Sequence, residues 1–471
     1  MLVSFILLYL AVSLGVGLYA ATRVRGAADY AVANKRFGTP IVTATVFATW
    51  FGAETVLGIP AAFLKDGLRG VVADPFAAVA CLVLVGLVFA RPLFRLDVLT
   101  LGDYFRRRYG RAAEIILSLC IAFSYLGWIA AQFVALGLAF SVLSGGAIDV
   151  RAGIVIGAAI VLAYTMAGGM WSVSLTDFFQ AAVIIAGMVY VAWVVAELAG
   201  GVGRVVDATA AAERFRFLPE ADAGSVMAWI SAALIVMLGS IPQQDVLQRI
   251  KSAKDEATAV RATIAGGVLY FAIAAIPIFL VSAAALIDPP MVERLVAQDY
   301  LLILPTLILE RTPLVVQVFF FGALISAILS TASGALLAPA VALAQNVIRP
   351  FAKPRDDRAL LLTMRLTVAG LAVAVTAMAL TSRLSIYQLV NESGKVVLVS
   401  SVVPLAAGLF WPRANSRGAC AAIAAGLATW IALELAAPEG LFPPALAGLI
   451  ASLAGMIAGS LAPFGAPIPR R

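Results

Sequence analysis

No histidine occurs anywhere in the 471 residues, which removes histidine proton relays, imidazole metal ligands and serine-histidine hydrolase chemistry from consideration. Charge is scarce as well, at 13% of residues against about 25% in ordinary soluble proteins. Cysteine is limited to Cys81, Cys120 and Cys420, which stand inside apolar runs without paired or metal-ligand spacing. Neither a disulfide framework nor a zinc site is expected from them; they are most simply small core residues. Polar stretches long enough to fold as a soluble domain are missing too, the longest loops being residues 201–226 and 287–313. Any site must therefore be built from carboxylates, hydroxyls, amides, aromatics and backbone.

What the chain has in abundance is apolar sequence: 62% of residues are hydrophobic. This is the composition of an all-α polytopic membrane protein. A window of about 20 residues gives thirteen spans, at 2–21, 40–64, 70–93, 113–143, 151–172, 176–200, 227–248, 258–286, 314–344, 360–382, 384–409, 418–436 and 443–461. The first has no basic leader and no small-residue cleavage site, so it is expected to be retained. Loops on one side hold 21 of the 33 Lys and Arg, including Arg23, Lys35, Arg106, Arg107, Arg249 and Lys251, while the opposite loops hold nine. The positive-inside rule then places the N-terminus outside and the C-terminus in the cytoplasm, as in a bacterial inner or plasma membrane protein. The formal charge of +7 is mostly this topology signal. Its spread over loops argues against a nucleic-acid partner; the partner is the lipid bilayer, and a second copy of the chain is compatible with the pattern. Thr100–Gly110 has the charge order of an amphipathic helix, with Asp103 near its start and arginines at its end, and residues 287–313 are expected to hold a short re-entrant or surface helix.

Three spans contain polar residues that hydrocarbon makes expensive. In Pro40–Pro60, Thr49 and Glu54 flank Gly52, where a helix can open and release carbonyls; a small-residue packing face is the plainer alternative. In the span at 314–344, Ser326, Ser330 and Ser333 recur at helical spacing, and Ser330 and Thr331 offer adjacent hydroxyl oxygens suited to Na+. Helix packing predicts the same residues. In Ala167–Gln180, AGGMWSVSLTDFFQ, two glycines and a polar turn join two spans, and Thr176 is expected to cap the second one beside Asp177.

The segment GGMWSVSLTDFFQ resembles the signature of the sodium:solute symporter family, and ATWFGAETVLGIP, TLGDYFRRRYG and ISAILSTASGALLA agree with that family in the same order. The resemblance implies a five-plus-five inverted repeat with broken first helices, here residues 40–200 and 227–409, preceded by the helix at 2–21 and followed by two helices at 418–461. It also implies an Na+ site made by the carbonyls of Ala48, Phe51 and Ala327 and the hydroxyls of Ser330 and Thr331, with Asp177 tied to sodium coupling or release.

Within the family, ATWFG, GWIAAQFVALG, LGSIPQQDVLQRI and MRLTVAGLAVAVTAMAL resemble the high-affinity choline transporter branch. That branch holds a quaternary ammonium in an aromatic cage by cation–π attraction. Trp50 and Trp128 match two cage positions, but Gln243 and Ala78 stand where two further aromatics belong. Glu54, Asp74 and Gln132 join them as candidate substrate residues, suited to a cationic or zwitterionic amine with hydrogen-bonding atoms. Glu54 and Asp74 can equally satisfy each other or a loosened helix end. Glu392 and Lys395, one turn apart, are expected to pair, or Lys395 to meet a substrate carboxylate. The expected function is Na+-coupled import of a small organic solute by alternating access, with no enzymatic step. An amino-acid or monocarboxylate symporter and a transporter-like sensor are the alternatives, the sensor weakened by the short tail after the last span.

Overall fold

Regular structure in this computed structural model, described for residues 1–382, 386–438 and 440–462, is helical apart from one isolated backbone pairing of Phe37 with Ala253. The reason is solvent: hydrocarbon offers no partner to backbone N–H and C=O, and a helix closes those bonds within its own segment. The first helix, α1 (Leu2–Ala21), leaves Phe5, Leu7, Leu8, Leu18 and Tyr19 exposed, as a lipid-facing helix does.

Next comes α2 (Thr39–Trp50), entered through Pro40 and ended by Phe51, whose ψ of 79° leaves the helix. Helix resumes through a wide turn over Glu54–Gly58 into α3 (54–66), and the chain turns at Gly67, φ 64°, before α4 (72–95). The amphipathic segment forms α5 (Leu101–Tyr109), opened by a reciprocal cap in which Thr100 accepts from the Asp103 amide and Asp103 accepts from the Thr100 amide. Two long helices follow, α6 (Arg111–Leu143) and α7 (Val150–Leu198). The second broken element is α8 (Ala223–Met237) and α9 (Gln244–Ser252), and after it come α10 (Glu256–Ile287), α11 (Leu314–Ala342) and α12 (Asp357–Thr381). A 42° bend separates α13 (Ile386–Ser400) from α14 (Val402–Phe410), and α15 (Ser416–Ala436) pairs with α16 (Pro444–Leu461). The long loop before α11 holds short helices at Pro289–Gln298 and Ile303–Arg311.

Among the described residues, nine helices are long and apolar enough to cross a bilayer, or ten if α13 and α14 form one span. Among the described residues the expected segments fall largely on helix, but their breaks move. Residues expected as spans at 151–172 and 176–200 are one helical run of 49 residues. Straight, it would be about 74 Å long, more than twice a hydrocarbon core; it is instead broken at Gly169, φ 51° and ψ −134°. The expected polar turn at 172–176 is helical, and Thr176 caps nothing: its hydroxyl donates to Ser172 O (2.8 Å) and Val173 O (3.0 Å) within the helix. The expected span at 227–248 is likewise divided, by the residues between Met237 and Gln244.

The packing axis is α11. Every residue from Phe320 to Ala342 is buried, and the helix lies against α2, α6 and α7. Its small residues allow that close approach.

Gly169 fixes the break in α7 in two ways, through its positive φ and because a Cβ there would lie 2.4 Å from Tyr30 O. Gly169→Ala is expected to lower the unfolding free energy by about 1–3 kcal/mol, read as a drop in the melting temperature of the purified protein; an unchanged melting temperature would contradict this account of the break.

Candidate functional site

Where α2 stops, its last carbonyls lose their ordinary partners. The Ala53 amide, which would close the next helical turn onto Thr49 O, donates instead to Gln132 Oε1 on α6 (3.0 Å). Hydroxyls of α11 fill the gap: Ser330 Oγ donates to Ala48 O (2.7 Å) and lies 3.0 Å from Ala327 O, while Thr331 Oγ1 donates to Thr49 O (3.0 Å) and approaches Ala48 O at 3.3 Å. All of these residues are fully buried. Four of the five expected ion-binding residues thus meet at hydrogen-bond distance, together with the Thr49 carbonyl. Phe51, the fifth, is the first residue of the break and does not join those hydrogen bonds; its ring packs against Phe47 and Tyr270.

Asp177 lies on α7, fully buried, and accepts a hydrogen bond from the Thr45 hydroxyl. One turn along the same face of α2, Thr49 Oγ1 accepts from Arg249 Nη2 (2.5 Å). Arg249 also donates from Nη1 to Asp245 O (3.1 Å) and ranks among the largest fully buried side chains. Its place corrects the expectation that it belongs to a basic loop. The signal that could have revealed it is Gly334: a Cβ at that position of α11 would stand 2.4 Å from Arg249 Nη2, so the glycine makes the room the guanidinium occupies.

Beyond the break, a cleft with about 680 Å³ of space between atoms is lined by Trp50, Glu54, Asp74, Ala78, Trp128 and Gln243, with the α8 end (Ile235, Val236, Ser240) and α13 (Val390, Ser393, Gly394) opposite. Five of the six expected substrate residues line it. Gln132 is the exception and stands behind the wall, where its Nε2 donates to Glu54 Oε2 (2.8 Å); Trp128 Nε1 donates to Glu54 Oε1 (2.9 Å). Asp74 accepts from the Tyr270 hydroxyl, which also lies 3.2 Å from Thr55 Oγ1. Glu54 and Asp74 therefore have separate partners and do not satisfy each other. Tyr270 was not foreseen: it is a single tyrosine in the apolar α10, carried in no motif, yet its ring meets Trp50 edge-on at 6.4 Å. Ser240, inside the LGSIPQQDVLQRI segment, and Ser393, beside Glu392, also line the cleft and were not foreseen. The side chain of Glu392 lies outside the described residues, so the expected Glu392 and Lys395 pair is not described here; Lys395 Nζ donates to Glu434 Oε1 on α15 (3.2 Å).

Gly52 joins the two regions. A Cβ there would lie 2.6 Å from Glu54 Oε2 and 2.9 Å from Thr331 Oγ1, so one glycine is wedged between the carboxylate of the cleft and a hydroxyl of the buried cluster.

The model of the sodium:solute symporter family matches residues 30–426. The chain is 30% identical over 449 residues to the human high affinity choline transporter 1, covering 90% of this chain and 75% of that protein. It is 25% identical over 475 residues to the sodium/pantothenate symporter of Escherichia coli (strain K12), covering 98% and 96%. Among solved structures, that of a Na+-coupled sialic acid symporter in a substrate-bound outward-open state superposes with a TM-score of 0.82 at 22% identity, covering 99% of this chain and 98% of that one. The fold is the five-plus-five inverted-repeat transporter fold expected from the sequence. The chain belongs to the sodium:solute symporter family and is a multi-pass Na+-coupled symporter of a small solute.

Proposed function

We propose that the solute is a small cationic or zwitterionic amine, of the choline type or an amino acid, and that one Na+ is held by the carbonyls of Ala48, Phe51 and Ala327 and the hydroxyls of Ser330 and Thr331. The observation that carries this reading is the two-sided break in α2: carbonyls and hydroxyls gather on one side, and Trp50 and Glu54 face the cleft on the other. Oxygen donors of this kind suit a hard monovalent cation, and a broken helix is the usual way to present them in a membrane. In the cleft, Trp50 and Trp128 supply π faces to an ammonium group. Glu54 and Asp74 supply the acceptors that an amine with N–H groups requires. Ala78 and Gln243 take bulk and apolar surface away from a full aromatic cage and add an amide, which favours a solute with its own polar atoms. Gln243 also supports the amino-acid reading, because its amide can donate to a carboxylate.

Under this reading, repeats at 40–200 and 227–409 rock about the two breaks. The N-terminus lies outside and the C-terminus in the cytoplasm of a plasma or bacterial inner membrane, and Asp177 lies on the path of ion release. Moving one positive charge down the potential supplies about 2.3 kcal/mol per 100 mV, which with the Na+ gradient concentrates a neutral or zwitterionic solute by a few powers of ten.

Replacing Ser330 and Thr331 together by Ala is expected to abolish Na+ stimulation of solute uptake into proteoliposomes. Undiminished stimulation would exclude these hydroxyls as ligands. Gly52→Ala should displace Thr331 and Glu54 at once and weaken Na+ and solute binding together, each by several-fold; a variant that weakened one alone would break the proposed junction. For the solute, a thermal-shift screen of amines, amino acids, carboxylates and sugars with and without Na+ is expected to show amine stabilisation that grows with Na+ and exceeds about 2 kcal/mol at a hundredfold excess over Kd. That stabilisation should be lost in Asp74→Asn. Stabilisation by carboxylates or sugars alone would discard the amine.

A further inference from the structure

A second cleft, with about 1270 Å³ of space between atoms, opens on the face that carries most of the basic loop residues, where Asn34 and Lys35 ahead of α2, α5, the end of α9 and the turn after α11 come together. Lys35, Arg106, Arg107 and Lys251 line it, against two carboxylates, Asp97 and Asp103. Asp103 is occupied elsewhere: its Oδ2 accepts from the amides of Leu99 (3.1 Å) and Thr100 (3.2 Å), and its Oδ1 from Asn346 (3.0 Å) and Gln345 (3.3 Å). Arg106 comes no closer than 3.8 Å to Glu114, whose same oxygen holds Arg111 at 2.7 Å. Four cations against two carboxylates, one of them engaged elsewhere, leave the cleft with an excess of positive charge.

Three features show that this charge is held in place. Lys251 is buried at the floor, donating to Phe94 O (3.1 Å) and Leu96 O, with its ammonium 5.9 Å from the centre of the Phe94 ring. Lys35 is brought over the same ring at 5.1 Å. The segment that carries it there has Ala33, Asn34 and Lys35 all left-handed, with φ of 49°, 48° and 58°. Three successive non-glycine residues in that region are disfavoured, and such conformations concentrate where a ligand is gripped. Burial, with Lys35 and Arg107 nearby and only partly opposed by Asp97, pushes the Lys251 ammonium down to about 8.

We propose that this cleft binds a phosphate-bearing anion, clasped by Lys35, Arg106 and Arg107 over the ammonium of Lys251. Phosphate chemistry fits because guanidinium forks engage its oxygens two at a time and ammonium groups neutralise its charge. Basic pockets between spans on such a face take anionic headgroups in the same way. The bound anion bridges the lead into α2 to the end of α9, which are already paired through Phe37 N to Ser252 O (3.0 Å) and Lys254 N to Phe37 O (2.9 Å). It would thus hold the base of one broken helix against the base of the other and favour the conformation in which the two meet. The inference stands apart from the choice of solute.

The test uses the purified full chain in two arms, thermal unfolding in detergent with inorganic phosphate at ionic strength matched by chloride, and unfolding in nanodiscs of phosphatidylcholine with and without phosphatidylglycerol. Wild type is expected to be stabilised in at least one arm, and Lys35→Gln with Arg107→Gln to weaken the effect at least about tenfold. Lys35→Arg with Arg107→Lys should keep most of it, which guards against misfolding as the cause. Stabilisation by inorganic phosphate supports a free phosphate compound as ligand; stabilisation by phosphatidylglycerol alone supports a lipid headgroup. No stabilisation in either arm, or equal stabilisation of the Gln variant, overturns the proposal. Solute-dependent stabilisation with Na+, measured on the same variants, is expected to be unchanged, so failure here and failure of the amine reading are told apart.

Discussion

An interrupted helix inside hydrocarbon leaves backbone groups that water cannot reach, each costing several kcal/mol unless something else satisfies it. That constraint governs the centre of this protein. When α2 stops at Trp50, its open turn must be closed by neighbours, and α6 and α11 close it with Gln132, Ser330 and Thr331. Helix α11 can do so only because small side chains let it lie against α2, so the serines that shape the packing are also the hydroxyls that serve the break. The packing of these residues and the ion site proposed for them rest on the same geometry.

Charge obeys the same rule. Arg249 is buried whole, and its guanidinium is spent on the Thr49 hydroxyl and the Asp245 carbonyl, in a space that Gly334 vacates. Thr45 and Thr49, one turn apart on α2, thereby carry Asp177 at one position and Arg249 at the next. A buried cation and a buried carboxylate placed on one helical face offset each other's desolvation through the hydroxyls between them. Either one alone would be far more costly.

The sequence disclosed the elements that hydropathy and polar expense can announce. Gly52 between Thr49 and Glu54 marked the break to within a residue, the SAILST hydroxyl spacing marked α11, and apolar runs marked the long helices, though not the short one at Val202–Ala211. Three things escaped it, each for a physical reason. The break in α7 sits at Gly169 and not in the polar turn after it, because what decides the position is the approach of Tyr30 O from another segment. Arg249 looked like a loop residue because a charge near a span end ordinarily reaches water, and only the tertiary gap at Gly334 shows that this one does not. Tyr270 carries no local signal at all; it becomes visible when α10 brings its hydroxyl to Asp74 and its ring edge to Trp50.

Gln132 is the residue whose role changes most between sequence and structure. Expected in the cleft wall, it instead holds the Ala53 amide with one end and the Glu54 carboxylate with the other. Its carboxamide is rigid and planar, so a shift of the backbone at the break moves the amide and with it the acceptor that faces the cleft. Under the proposed coordination, Na+ draws the carbonyls beside Trp50 toward α11, and the same displacement is passed through Ala53 and Gln132 to Glu54. A solute that binds Glu54 in its tightened position in turn holds the break in the shape the ion prefers. On that proposal, binding of ion and solute reinforce one another by equal amounts, as linkage requires, and the contacts that join the two regions are one amide side chain and one glycine.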